Sequence, residues 1–256
     1  LRDKAVSVGL RWLFYGVDEG RILNGTDGKP LITRAVGHPY QAASDAMTYH
    51  ACLDAGIDYF SSWGYASEGI FGGLPTPAMQ TAALWYRLCG KNRLPLRIDG
   101  ETGENGARLG AVAADSDGEL CVFAYSFEPD TAKTGSEPLE IHVMGLPEGR
   151  YTVTRCAADA KSNWFLRWDR LRDEAGIPAD GYSWSRESCT VPVYGTPEAM
   201  EAQRALYARH RGEFARIAET PEQSFTADAG PDGLTFSQQI DKHSAVLYII
   251  KGAGRS

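Results

Sequence analysis

The spacing of apolar residues changes character near residue 90, and that change limits the folds open to the chain. Before it, short continuous apolar runs alternate with helix-period stretches. Trp12-Leu-Phe-Tyr-Gly-Val17 and Ile57-Asp-Tyr-Phe-Ser-Ser-Trp63 read as strands buried on both faces, the habit of parallel strands. Between them, Tyr40 to Ala55 predicts a helix closed by Gly56. Its apolar stripe is Ala43, Ala46, Met47, His50, Ala51 and Leu53. Thr76-Pro77, a cap residue followed by proline at the first helical position, opens another helix that runs to Cys89 and stops at Gly90. Arg2–Val8 reads as the end of an earlier helix, and Asn24-Gly25 and Asp27-Gly28 as turns. Strand, helix, strand, helix at these lengths is the rhythm of a parallel α/β fold.

Past Lys91 the rhythm is that of short strands. Leu109–Ala113, Leu120–Phe127, Leu139–Val143 and Arg150–Cys156 form one group, and Leu234–Ile240 and Ser244–Ile250 a later pair. Asp117-Gly118 makes the first two a hairpin. This pattern predicts an antiparallel sandwich. One helix interrupts it, from the Thr196-Pro197 cap to about Glu219, with a stripe of Met200, Leu206, Tyr207, Phe214 and Ile217. Asp130 to Pro138 reads as a surface loop.

Composition narrows the partners. The net charge of -7 argues against a nucleic-acid backbone. No apolar run approaches the roughly 20 residues a membrane-spanning helix needs. Six Trp and twelve Tyr supply flat rings of the kind that grip sugar faces, although most serve packing. The five cysteines, Cys52, Cys89, Cys121, Cys156 and Cys189, include no CxxC pair and make neither a disulfide framework nor a zinc site. They read as small buried thiols in a reducing compartment. With no charged-then-apolar leader after Leu1, a cytoplasmic location is favoured. His38, His50, His142, His210 and His243 show no ligand spacing, and no metal or organic cofactor is expected.

In parallel α/β folds reactive groups gather at the C-terminal ends of strands. The first strand here ends in Val17-Asp18-Glu19-Gly20 and the second in Ser61-Ser62-Trp63-Gly64-Tyr65. A carboxylate at one strand end and an indole at the next suit a sugar site: one attacks, the other lies under the ring. If the strand continues through Asp18 and Glu19, the two point to opposite sides and only one faces the site.

The run Ile57-Asp-Tyr-Phe-Ser-Ser-Trp63 resembles the eighth barrel strand of glycoside hydrolase family 39, a clan-A family of β-xylosidases and α-L-iduronidases. Gly73-Leu-Pro-Thr-Pro-Ala78, continuing into Leu84-Trp-Tyr-Arg-Leu88, resembles that family's last barrel helix. Asp159-Ala-Lys-Ser162-Asn163-Trp164, with Trp168 downstream, is similar to its Asp-x-x-His-Ser-Asn-x-x-x-x-Trp loop. It follows a strand opened by Leu146-Pro-Glu-Gly-Arg-Tyr-Thr-Val153, and Lys161 stands where histidine is usual. The resemblance implies the last strands and helices of a (β/α)8 barrel in residues 1–90, followed by a β-sandwich in 91–256. It implies Glu19 as nucleophile at the end of strand seven, although Val-Asp-Glu-Gly lacks the family's usual Trp or Asn neighbours. Trp63 becomes a wall of the sugar pocket. His38, in the loop after Glu19, and Glu68, in the Gly-rich loop after Trp63, are within reach of a substrate. A complete barrel needs roughly 250 residues, so the acid/base glutamate of strand four belongs to a missing N-terminal barrel segment. The expected function is a retaining glycosidase acting on β-xyloside-like bonds, with this chain inactive alone.

Two rivals share the pattern. One is a non-catalytic carbohydrate-binding or structural β-sandwich module. The other is a degenerate hydrolase that binds sugar without cleaving it. The Asp159, Ser162 and Asn163 side chains suit bonding within their own turn, which favours a brace between sandwich and barrel over substrate contact.

Overall fold

The computed structural model describes residues 2–9, 14–20, 40–62, 73–100, 108–130, 133–177 and 197–252. A short helix, α1 (Arg2–Ser7), precedes the first strand, β1 (Gly16–Gly20). Helix α2 (Gln41–Asp54) leads to β2 (Tyr59–Ser62), which pairs with β1 in parallel, and α3 (Pro77–Tyr86) follows. The strand–helix–strand–helix order of the sequence reading is present. The first strand begins later than the Trp12–Val17 run suggests. Its ladder starts where Tyr15 N–H donates to Asp58 Oδ2 (2.7 Å) and Tyr15 O accepts from Asp58 N–H (2.6 Å). Residues 10–13 and the turns at Asn24-Gly25 and Asp27-Gly28 lie outside the described residues.

Helix α2 buries Gln41, Ala42, Ala43, Ser44, Asp45 and Ala46, all of its first turns, while Ala51 and Leu53 of the expected stripe are exposed. The small side chains at its N-terminal end admit α3 closely enough for Thr81 Oγ1 to donate to Ala42 O (3.4 Å). The other end emerges at the surface and stops at Gly56 (φ 64°). Helix α3 is opened as its sequence predicts: Thr76 Oγ1 accepts from Met79 N–H (3.2 Å), and Pro77 needs no partner for the N–H it lacks. Its last residues tighten, with Arg87, Leu88 and Cys89 N–H donating three residues back, before Gly90 (φ 77°) ends it.

The remaining strands form one eight-stranded sheet in the order β3-β4-β5-β10-β7-β8-β9-β6. They are β3 (Asn92–Arg93), β4 (Arg108–Ser116), β5 (Glu119–Phe127), β6 (Ser136–Val143), β7 (Gly149–Ala158), β8 (Gln223–Gly230), β9 (Gly233–Asp241) and β10 (Ser244–Gly252). All pairings are antiparallel. Asp117 (φ 51°) and Gly118 (φ 79°) turn β4 into β5, as the Asp-Gly pair predicts. β8 and β9 stay paired only beside their turn, at Ala229–Leu234 and Gly230–Gly233. Beyond it they diverge, so the β9–β6 end folds back over the rest. The expected sandwich is thus a single curled sheet. Helix α4 (Phe165–Glu174) joins the expected α5 (Pro197–Ile217), so the described residues of this region carry two helices where one was predicted.

Three apolar clusters hold this together. On the concave face, Val122, Val153, Val246, Tyr248 and Ile250 meet Ile141, Leu234, Phe236 and Ile240 of the folded-over strands. On the convex face, Phe123, Leu247 and Ile249 receive Ala42 and Ala46 of α2, Leu84 of α3 and Leu88 just beyond it. The central strands are therefore covered on both sides. A third cluster joins Trp164, Trp168 and Leu171 to Leu206, Tyr207 and Phe214 of α5 and to Leu74.

Cys121 and Cys156 are buried and free, and burial raises both thiol pKa values, Cys121 to about 11. Cys89 is exposed, against expectation, because α3 has already ended there; Cys52 is half-buried. Among the described residues no helix is long and apolar enough to cross a membrane.

Candidate functional site

Glu19 lies in β1, one residue from its C-terminal end. The pairing is Gly16–Tyr59 and Val17–Phe60, then Gly20–Ser62, so β1 spends one more residue than β2 across this span. The extra residue falls at Asp18-Glu19. Trp63 follows the last residue of β2 in the sequence; Trp63, His38 and Glu68 lie outside the described residues.

What fixes this strand pair is explicit. The Asp58 carboxylate and backbone clasp Tyr15, setting the register at the N-terminal end. Gly16 leaves room there for the Tyr59 ring, which lies across it. An aromatic chain then ties β2 to the large sheet. Phe60 meets Tyr49 of α2 edge-on at 5.9 Å, Tyr49 meets Trp85 of α3 at 5.7 Å, and Trp85 meets Phe123 of β5 at 5.1 Å.

The Asp159–Trp164 loop is a brace. Asp159 Oδ1 accepts from Lys161 N–H (2.8 Å) and Ser162 N–H (3.2 Å), and Ser162 Oγ accepts from Asp159 N–H (3.0 Å). Asn163 Oδ1 accepts from Phe165 N–H (3.1 Å) and so starts α4. Buried Gln80 of α3 donates through Nε2 to both Ser162 O (3.0 Å) and Ala218 O (2.8 Å). Trp164, wholly buried, donates its indole N–H to Pro75 O (2.8 Å). The segment opening the last helix before the large sheet is thereby pinned to that sheet's own loop. The sequence reading anticipated a bracing role for Asp159, Ser162 and Asn163; it missed Gln80. A glutamine among the Ala, Met and Leu residues of α3 was the signal.

The described histidines are structural. His50 Nδ1 lies 3.2 Å from Tyr125 Oη, with Asp54 at 3.5 Å from Nε2; His142 bonds Asp232 O, His210 pairs with Glu213, and His243 bonds Lys133 O. Among the described residues no group of His, Cys, Asp and Glu is placed to hold a metal ion.

No protein-family model matches the chain, and no curated protein matches it significantly. Solved structures do. The bacterial orthologue of human α-L-iduronidase superposes with a TM-score of 0.63 at 14% identity, over 98% of this chain and 44% of that one. A monomeric beta-xylosidase from Caulobacter crescentus gives 0.59 at 14% identity, over 99% and 48%. The glycoside hydrolase family 39 enzyme from Xanthomonas axonopodis pv. citri gives 0.55 at 12% identity, over 87% and 42%. The chain therefore spans less than half the length of these structures. At such identities the likeness is one of fold: this chain shares the fold of part of glycoside hydrolases built from a TIM barrel and a β-domain.

Proposed function

We propose that this chain is the C-terminal part of a retaining glycoside hydrolase of the family 39 kind, acting on β-xyloside-like bonds. Residues 1–90 supply strands seven and eight of its barrel, and residues 91–256 its β-domain. The observation that carries this reading is the parallel β1–β2 pair, with Glu19 near the C-terminal end of one strand and Trp63 following the other. Carboxylates at strand ends of this type face the mouth of a barrel.

The chemistry is double displacement. The Glu19 carboxylate attacks the anomeric carbon, while a second carboxyl about 5 to 5.5 Å away protonates the departing oxygen. That second group then deprotonates the water that releases the sugar from Glu19. It comes from outside these 256 residues. Trp63 provides the wall under the sugar ring, and His38 and Glu68 reach its hydroxyls. No cofactor takes part.

The test compares this chain with a longer polypeptide carrying the upstream sequence, both offered aryl xylosides. The short chain shows no turnover, and the long one turns over and loses it in Glu19→Ala. Turnover by the short chain, or activity that survives Glu19→Ala, overturns the reading.

A further inference from the structure

The alternation of β7 places Tyr151, Val153, Arg155 and Ala157 on the concave face, and three of the four belong to its apolar core. Arg155 breaks the pattern. Its cross-strand partners on that face are Tyr248 of β10 and Gln223 of β8, and the folded-over layer brings Gln238 of β9 inward between Phe236 and Ile240. A polar row thus interrupts an apolar face, and it does so where the diverging β8 and β9 leave a cleft of about 700 Å³ that Arg155, Gln223 and Gln238 line. That volume is of the size small-molecule sites have.

Arg155 is half-buried, and among the described residues no carboxylate lies within ion-pair distance of it. Beneath it the Tyr248 hydroxyl is fully buried and has no hydrogen-bond partner. Burial raises that phenol's pKa, and the Arg155 guanidinium beside it works against the rise. An inward guanidinium with no acid beside it, over a buried hydroxyl, is costly to keep for stability alone. A guanidinium's planar fork matches an oxoanion.

We infer that this cleft binds a hydroxylated monocarboxylate, held by Arg155 at its carboxylate and by Gln223 and Gln238 at its hydroxyls. The rest of the lining selects the class. Its four carboxylates, Glu140, Asp159, Glu219 and Asp241, outnumber its three cations, Arg155, Lys161 and Arg216, and this balance disfavours multiply charged anions such as sulfate or phosphate. Among the described residues no aromatic side chain lines the cleft, so the ligand is gripped by hydrogen bonds and not by stacking on a ring. The site is separate from Glu19 and independent of the glycosidase reading.

Calorimetric titration of the 256-residue chain with D-gluconate, at fixed ionic strength, tests this, with sulfate and glucose as comparison ligands. Saturable binding is expected for gluconate, with sulfate and glucose weaker. Arg155→Met weakens gluconate binding about tenfold or more, and Gln238→Ala weakens it several-fold. Arg155→Met also melts at the same or a higher temperature than the parent, because an inward charge kept for a ligand is not kept for stability. Absence of saturable gluconate binding, equal binding by Arg155→Met, or sulfate binding as tight as gluconate overturns the assignment. So does a lower melting temperature in Arg155→Met, which would make Arg155 a structural group.

Discussion

Replacing Gln80 by Ala removes one amide that serves two elements at once. Its Nε2 satisfies Ser162 O at 3.0 Å and Ala218 O at 2.8 Å, joining the bracing loop and the end of α5 to α3. The side chain is buried, so water does not readily replace it. Each such bond contributes about 1 kcal/mol net, and a buried polar group left alone costs about 1–3 kcal/mol. The space vacated by the amide adds about 1 kcal/mol. Ser162 Oγ lies 3.5 Å from Gln80 Oε1, too long to add much. The sum is about 3 kcal/mol, which in urea lowers the unfolding midpoint by about 1–2 M at ordinary m-values. Gln80→Met keeps most of the volume and loses only the bonds, at about 2 kcal/mol. Urea unfolding followed by tryptophan fluorescence reads both variants, since Trp164 sits inside the brace. A Gln80→Ala loss below about 0.5 kcal/mol, the level of a neutral surface change, would refute the bracing role.

Trp164→Phe keeps an aromatic ring against Phe165 and Phe214 but loses the N–H to Pro75 O, and urea unfolding should report a loss of about 1–2 kcal/mol. Burial alone would raise the Glu119 carboxyl, but hydrogen bonds from Lys251 and Lys91 reverse this and hold it at about 2 against an ordinary 4.5. Its contribution is present above about 4.5 and fades as pH falls towards 2; thermal melts should show Glu119→Gln lacking about 1 kcal/mol of that acid dependence, after solvent screening. Burial lowers the His243 pKa below 6.5, with Lys133 O and Glu128 opposing. The unfolded chain takes up its proton first, so stability drops as pH falls below 6.5. His243→Asn, which tolerates the φ of 64°, should flatten melting temperature across that range.

Legibility in the sequence followed locality. Thr76-Pro77, Gly56 and Asp117-Gly118 carry their own conformational reasons, and each sits where those reasons place it. β8 escaped because Gln223–Gly230 has one large apolar residue, Phe225, and inward partners as small as Ala227 and Ala229. α4 escaped because charge dominates Phe165–Glu174, leaving only Trp168 and Leu171 buried. The fold-back of β9 and β6, and the placing of β10 between β5 and β7, are non-local pairings with no trace in any short window. Arg155 was visible as a residue, but its inward direction needed the strand's phase, which Tyr151 and Val153 supply. Of the proposed site, strand order and the strand-end rule reached Glu19. The bulge at Asp18-Glu19 needed the pairing with β2.

The central claim is that Glu19 forms the covalent sugar intermediate, and trapping it tests that most directly. A longer polypeptide with the upstream sequence is inactivated with a fluorinated aryl xyloside, cleaved with trypsin and sequenced by mass spectrometry. The peptide to watch runs from Trp12 to Arg21 and contains both Asp18 and Glu19. A pentosyl adduct on Glu19 is the predicted result; an adduct on Asp18, or on a residue outside this peptide, would contradict the account.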